Sequence, residues 1–194
     1  MEMPPLETER LLIRPFADAD LPAVSAILEV DSTDDAASER YVRHGGLSAV
    51  VLSELGQPPL GDRAMVLRST GELIGLVGLV PAFAPFDQLR PMGKRGPEEP
   101  PPPAHHRIEI GLYYNVRADH RGLGYATEAA RALVDFAFER MDLGRIIATT
   151  ERDNLASQAV MRHLGMRLYE NARPEPAWFQ VVGVLEQRAG MARL

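Results

Sequence analysis

Apolar side chains recur along this chain at two spacings, and each spacing predicts one kind of element. In residues 108–116 they alternate with other side chains, which is the period of a strand. After residue 125 they recur every three or four positions, which is the period of an amphipathic helix. These helical positions are Ala130, Leu133, Val134, Ala137, Phe138 and Met141. We expect Gly144 to end this helix in a left-handed conformation.

The same two patterns predict elements on both sides of this pair. Further strands are expected at residues 11–16, 64–68, 73–80, 145–150, 166–169 and 178–185, with a hairpin turn at 69–72. Further helices are expected after Asp18 or Asp20, over about residues 34–55 with an interruption near Gly45 and Gly46, and between Asp153 or Asn154 and Gly165. This order indicates a single α+β domain over residues 1–194. Its mixed, largely antiparallel sheet of about seven strands has helices on both faces.

Residues 81–106 depart from this pattern because they are rich in proline. The prolines are Pro81, Pro85, Pro91, Pro97 and Pro100 to Pro103. Proline lacks the N–H group that a central strand needs, so we predict a long excursion between two strands, with polyproline character at its end. Such a long loop is either disordered or functional. Disorder and a lid or partner contact at the substrate both remain open.

Composition and charge narrow the classes of function. The net charge of −6 argues against non-specific nucleic-acid binding, and the absence of cysteine removes disulfides and thiol nucleophiles. No apolar run is long enough for an ordinary membrane helix, and residues 1–10 do not resemble a signal peptide. We therefore expect a cytoplasmic protein. The histidines lack metal-ligand spacing, so no metal site is expected, and a homodimer is the expected assembly by frequency.

The chemistry-bearing motif is the glycine-rich loop at residues 121–127, between the predicted strand at 108–116 and the amphipathic helix. Gly122, Gly124 and Ala126 allow a tight turn whose N–H groups point outward. The helix that follows adds its unpaired N–H groups and the positive end of its dipole. This arrangement is suited to a phosphate or pyrophosphate. We call residues 121–127 the glycine loop.

A dinucleotide-binding fold is one interpretation of this loop, but it agrees poorly with the details. Thr127 occupies the position of the third glycine, and the loop lies too late in the chain for a full nucleotide-binding half. Glu151, after the next strand, still offers a ribose-binding acid, so the alternative remains. The chain contains no Gly-Lys-Ser or Gly-Lys-Thr, which excludes a Walker loop.

Four segments together resemble the GNAT acyl-CoA N-acyltransferases, and in particular their RimJ/RimL-like branch, which acetylates the N-termini of ribosomal proteins. Arg121-x-x-Gly124-x-Ala126 matches the Q/R-x-x-G-x-G/A loop of the family. The other segments are Leu6 to Arg14, Glu109-Ile110-Gly111-Leu112, and Asn154-Leu155-Ala156-Ser157 continuing to Leu164-Gly165-Met166. Their order and spacing agree over nearly the whole chain, and only the proline-rich excursion stands outside the resemblance.

The resemblance implies acetyl-CoA as the acyl donor and an amine as the acceptor. The pyrophosphate of acetyl-CoA would bind the residues of the glycine loop, which are Arg121, Gly122, Leu123, Gly124, Tyr125, Ala126 and Thr127. Its pantetheine arm would pair with the strand end formed by Asn115, Val116 and Arg117, as an added strand. The Val116 N–H would then lie near the thioester carbonyl and stabilise an oxyanion.

Acetyl transfer also needs a base for the amine and a proton donor for the thiolate. Glu109 is the candidate base, and its structural alternative is an ion pair with Arg107 or with a neighbouring strand. The resemblance places Ser157 near the thiol as the donor, against the alternative of a serine bonded to its own helix turn. Asn154 either holds the pantetheine arm or caps its helix, and both are compatible. Tyr113 and Tyr169 are secondary candidates for the donor.

The sequence therefore predicts an N-acetyltransferase that works by direct attack through a ternary complex, with no covalent enzyme intermediate. A protein that binds acyl-CoA without turnover, as a sensor, is the alternative from another class. The acceptor is either a protein N-terminal amine or a small-molecule amine such as an antibiotic.

Overall fold

The structure is a computed structural model that describes residues 2–28, 35–92, 105–173 and 175–187. The strands are β1 Leu6–Glu7, β2 Leu11–Arg14, β3 Gly61–Leu67, β4 Leu73–Ala84, β5 Leu89–Pro91, β6 Arg107–Val116, β7 Arg145–Thr150, β8 Arg167–Asn171 and β9 Val181–Glu186. The α-helices are α1 Leu21–Leu28, α2 Asp35–Glu54, α3 Tyr125–Glu139 and α4 Leu155–Leu164. No helix in these described ranges is long and apolar enough to cross a membrane.

The chain forms two compact units, of which the first contains Met1–Val80 and Tyr113–Phe136. Its strands follow the order β1-β2-β3-β4-β6, and β1 to β4 pair antiparallel. Four successive positions of β3 are buried and apolar, which shows that both faces of this strand are covered. These positions are Ala64, Met65, Val66 and Leu67. On one face, α1 and α2 contribute Val24, Ile27 and Val42 to the core that contains Ala64 and Val66.

The second unit contains Pro81–Leu112 and Ala137–Leu194. Its strands follow the order β6-β7-β9-β8-β5. β6 and β7 are parallel and meet at Gly111 and Ile147, whereas the other neighbours pair antiparallel. The sheet is therefore mixed and largely antiparallel, as expected. The described residues contain nine strands against the seven predicted, and the two additional ones, β1 and β5, have only two and three residues.

Three local predictions are wrong for identifiable reasons. α2 continues through Gly45, where the absence of a side chain accommodates the Phe16 ring, since a Cβ would lie 3.2 Å from Phe16 Cδ2. Gly144 does not take the left-handed conformation after α3, and Asp142 does so instead, with a φ of 54°. Residues 81–91 are not all excursion, because β4 extends to Ala84 and Pro91 pairs with Tyr169.

The position of β5 explains why its proline is tolerated. β5 is the last strand in its sheet order, and an edge strand loses little when one N–H is missing. Residues 93–104, which include the run of four prolines, lie outside the described residues. The other predicted ends of helices and strands lie within a few residues of the observed ones. Gly165 ends α4 with a φ of 87°, as predicted.

Candidate active site

The glycine loop follows the short 3-10 helix Ala118–His120 directly, and its last three residues form the start of α3. Gly122 and Gly124 both have positive φ, at 77° and 84°, a conformation that other residues adopt only with strain. The first bond back into the loop is donated by Glu128 N–H to Gly124 O at 3.0 Å. The N–H groups of residues 125–127 therefore precede the regular hydrogen bonds of the helix.

This geometry fits a diphosphate. Residues 121–124 are exposed, and nothing lies within 4 Å of the point where a Cβ of Gly122 would stand. A ligand oxygen can thus approach the backbone closely. The helix N-terminus adds a partial positive charge at the same place.

An ion pair connects the N-terminal turn, at residues 8–11, to the first turn of α3 beside the glycine loop. Arg10 Nε donates to Glu128 Oε2 at 2.6 Å, and Arg10 N–H donates to Oε1 at 2.9 Å. Thr8 Oγ1 donates to the same Oε1 at 2.5 Å. Burial would raise the pKa of Glu128, but the hydrogen bonds from Thr8 and Arg10 outweigh it and hold the pKa below its ordinary value.

Arg10 also contacts the loop directly. Its Nη1 donates to Leu123 O at 2.9 Å, and its guanidinium lies 4.4 Å from the centre of the Tyr125 ring. This cation–π contact and the ion pair with Glu128 fix the guanidinium beside the loop, where the carboxylate of Glu128 offsets its charge. Arg10 lies within the Leu6 to Arg14 segment of the resemblance, but the sequence indicated no site role for it.

The end of β6 leads into the glycine loop. Arg117 N–H donates to Ile74 O of β4 at 2.9 Å, and because successive N–H groups of a strand point to opposite edges, the Val116 N–H points away from β4. Val116 O accepts from Arg121 Nε at 2.8 Å. Asn115 Nδ2 donates to Ile27 O at 3.2 Å. The first unit thus brings together the strand end and the loop named from the sequence.

The second unit holds the other predicted residues. Asn154 caps α4, since its side chain accepts from Ser157 N–H at 3.0 Å. Ser157 is half-buried in the first turn of this helix. Glu109 Oε2 accepts from Arg145 Nε at 3.1 Å, and a second, shorter contact joins Arg145 Nη2 to Oε1. The acid therefore pairs with the neighbouring strand β7, which is the structural alternative to the role of base.

Known proteins resemble this chain over most of its length. The acetyltransferase (GNAT) domain family matches residues 10–167. YnaD of Bacillus subtilis (strain 168), described as an uncharacterized N-acetyltransferase, is 30% identical over 166 residues, which are 84% of this chain and 82% of that protein. YoaA of the same organism, also described as an uncharacterized N-acetyltransferase, is 27% identical over 188 residues. The match covers 88% of this chain and 92% of that protein.

Solved structures share the fold. An acetyltransferase from Agrobacterium tumefaciens str. C58 has a TM-score of 0.63 at 27% identity, with 96% of each chain covered. The ribosomal-protein-S5-alanine acetyltransferase from Vibrio fischeri has a TM-score of 0.63 at 16% identity, covering 94% of this chain and 96% of that one. RimL, a ribosomal L7/L12 acetyltransferase solved with coenzyme A, has a TM-score of 0.55 at 17% identity. The match covers 91% of this chain and 93% of that one. At 16% and 17% identity, the last two structures show that the fold is shared.

Proposed function

The chain belongs to the acetyltransferase (GNAT) family of acetyl-CoA-dependent enzymes, and we propose that it acetylates a primary amine by direct attack within a ternary complex. The observation that carries the proposal is the glycine loop at residues 121–127, with its exposed backbone, two left-handed glycines and helix N-terminus. These features suit the pyrophosphate of acetyl-CoA. Arg10 beside the loop donates to Leu123 O, and its ion pair with Glu128 holds it there.

We propose that the pantetheine arm runs along the end of β6, at residues 115–117. The Val116 N–H supports this role because it points away from β4 and is directed to the edge that an added strand would use. A donor at that point strengthens its hydrogen bond as the thioester oxygen becomes an oxyanion. Removing one such donor from an enzyme typically costs about a hundredfold or more in rate.

The remaining chemistry concerns protons. A primary ammonium, which titrates near about 10.4 in a lysine and 7.7 to 8.0 in an α-amine, must lose one proton before it attacks. As the C–N bond forms and the C–S bond breaks, the nitrogen loses a second proton and the CoA thiolate takes one. We assign proton removal, directly or through water, to Glu109, and proton donation to Ser157. Asn154 orients the helix that carries Ser157.

We propose either a protein N-terminal amine or a small-molecule amine as the acceptor, with the enzyme in the cytoplasm as a homodimer. The name of the Vibrio fischeri neighbour, an alanine acetyltransferase of a ribosomal protein, supports the first acceptor class.

Thermal unfolding in the presence of acetyl-CoA tests the proposal, with NAD as a parallel ligand. Ligand at about 100 times its dissociation constant adds roughly 2.7 kcal/mol of stability, which is a shift of several degrees for a chain of this size. We expect acetyl-CoA alone to raise the midpoint. A shift with NAD instead would restore the dinucleotide interpretation. A shift with acetyl-CoA but no turnover of any amine would indicate the sensor.

A further inference from the structure

A cavity of about 260 Å³ lies within the second unit and opens to solvent. Its walls come from the end of β4, the short 3-10 helix Phe86–Gln88, the residue before β6 and the segment between β8 and β9. The lining combines three aromatic rings, those of Phe83, Trp178 and Phe179, with a small number of polar side chains. This composition is typical of a small-molecule site. We call it the aromatic cavity.

One aromatic wall of the cavity is anchored in the core of the second unit. Phe179 is fully buried, meets the Phe86 ring edge to face with the ring centres 5.4 Å apart, and packs with Ile147 and Val182. Trp178 precedes Phe179 in the 3-10 helix Ala177–Phe179, and the centres of their rings are 5.6 Å apart. The packed core therefore holds the indole ring of Trp178 at the cavity.

Two rings of the aromatic cavity stay open to solvent, although they lie on different elements. Phe83 of β4 is 62% exposed, and Trp178 is 46% exposed. The His106 ring stacks on Phe83, with 4.9 Å between the ring centres and 31° between the planes, which fixes the exposed phenyl ring. Exposed apolar surface of this kind marks a place where a ligand binds. An aromatic ligand suits it best, because aromatic pairs gain energy beyond the apolar area that they bury.

A buried amide supplies the cavity with a hydrogen-bond acceptor. Gln88 lines the cavity and is only 4% exposed, and its Nε2 donates to Asn171 Oδ1 at 3.0 Å. The same Oδ1 accepts from the Arg173 N–H at 3.0 Å, which identifies it as the amide oxygen and the Gln88 atom facing it as nitrogen. In the described part of the chain, no group donates to Gln88 Oε1. A ligand that displaces water from the cavity leaves this oxygen without a partner unless the ligand itself donates a hydrogen bond.

The charge and the volume of the aromatic cavity define the rest of the ligand. Arg173 and Glu175 both line the cavity, and because their charges are opposite, they favour neither an anion nor a cation overall. The volume of about 260 Å³ exceeds that of an engineered cavity of about 150 Å³ that binds benzene. The cavity therefore accommodates one substituted aromatic ring or two fused rings.

We infer that the aromatic cavity binds a neutral aromatic compound of one or two rings, whose hydroxyl or N–H group donates to Gln88 Oε1. The ring of the ligand covers the exposed side chains of Phe83 and Trp178. The inference goes beyond the proposed function and does not depend on it, because residues of the second unit alone form the cavity. Its test accordingly needs no acetyl-CoA.

Tryptophan fluorescence measures this binding directly, because Trp178 is the single tryptophan of the chain and lines the cavity. Phenol and toluene are titrated separately, since toluene carries a methyl group of similar size in place of the phenol hydroxyl. We expect a saturable change with phenol and an affinity at least fivefold lower for toluene, although toluene is the more apolar compound. A strictly linear response to phenol, as in collisional quenching, or equal affinities for the two compounds would overturn the inference.

Two variants test the two contacts of the ligand. Phe83→Ala removes an exposed ring and should weaken phenol binding at least threefold. Ile108→Ala is the matched control and should leave the affinity unchanged, because Ile108 is 70% exposed in the same unit and does not line the cavity. Gln88→Met keeps a side chain of similar length without the acceptor, so phenol should lose its advantage over toluene. Phe83→Ala keeps the test decisive if Gln88→Met does not fold, and an unchanged phenol affinity in Phe83→Ala contradicts the inference.

Discussion

Arg10 and Glu128 connect the N-terminal turn to the first turn of α3, with Arg10 Nε 2.6 Å from Glu128 Oε2. Arg10 also donates from Nη1 to Leu123 O. Because the carbonyl of Leu123 and the N–H of Gly124 are trans in one peptide unit, this bond directs the Gly124 N–H away from Arg10. A single arginine, held by Glu128, thus orients an N–H of the glycine loop.

We predict that Arg10→Gln weakens acetyl-CoA binding at least fivefold, because hydrogen bonds to charged groups contribute about 1.5 to 3 kcal/mol. Isothermal titration calorimetry with acetyl-CoA measures the effect. Arg68→Gln is the matched control, because Arg68 pairs with Glu7 at the surface and donates to Thr8 O in the same turn. Equal affinity losses in the two variants would show that Arg10 has no particular influence on the glycine loop.

Gly124→Ala should disrupt the glycine loop through backbone strain. Its φ of 84° costs a residue with a Cβ about 1 to 2 kcal/mol, and the new methyl group would stand 3.4 Å from Arg10 Nη2. Gly56→Ala is the matched control, because Gly56 has a φ of 64° with nothing within 4 Å of its Cβ position. We expect both variants to lose similar thermal stability, and only Gly124→Ala to lose acetyl-CoA affinity, by tenfold or more. An affinity that survives in Gly124→Ala would refute the assigned pyrophosphate site.

The glycine loop and the α4 cap could be predicted from sequence because short-range chemistry determines both. Glycines with positive φ and an asparagine before a helix leave a local signature, and Gly165 and Asn154 behave as that signature predicts. Gly144 shows the limit of such reasoning. Aspartate also tolerates the left-handed region, and Asp142 takes that conformation two residues before Gly144.

Long-range contacts could not be predicted in the same way. Glu128 and Arg10 are 118 positions apart, and Asp62 meets Tyr41 only because α2 packs over β3. No spacing in the sequence relates these residues. Likewise, Pro91 joins a strand because β5 lies at an edge, which depends on the assembled sheet.

Asp62→Asn should stabilise the protein at neutral pH. The folded state raises the pKa of Asp62 through burial, so the charged carboxylate costs stability once pH exceeds its unfolded pKa of about 3.9. The cost grows as pH rises from the unfolded pKa to the folded pKa, stays constant above it, and is nearly absent at about pH 3, where the acid is mostly neutral in both states. We expect a higher unfolding midpoint for Asp62→Asn than for the wild type at pH 7. Differential scanning calorimetry at both pH values should show no difference between the proteins at the lower one.

A comparison of Glu109→Gln with Arg145→Gln shows whether Glu109 acts as a general base or only forms an ion pair with Arg145. General-base catalysis contributes about a hundredfold to ten-thousandfold in rate, so Glu109→Gln should lower kcat by at least a hundredfold. Arg145→Gln removes the same salt bridge but keeps the carboxylate, and we expect it to retain most of the rate. Both are measured with the amine that the wild type turns over fastest. Similar rates for the two variants would leave Glu109 as a structural residue and remove it from the mechanism.

Ser157→Ala tests the proton donor without disturbing its helix. The cap bond runs from the backbone N–H of Ser157 to Asn154 Oδ1, so alanine preserves it and only the hydroxyl is lost. We expect thermal stability within about 0.5 kcal/mol of the wild type and a fall in kcat of tenfold or more, with acetyl-CoA affinity unchanged. Asn154→Ala is the contrasting variant, because it removes the cap at a cost of about 1 kcal/mol in stability and keeps the hydroxyl. If Ser157→Ala retains the wild-type kcat, thiolate protonation does not depend on this serine, and Tyr113 and Tyr169 become the next donors to substitute.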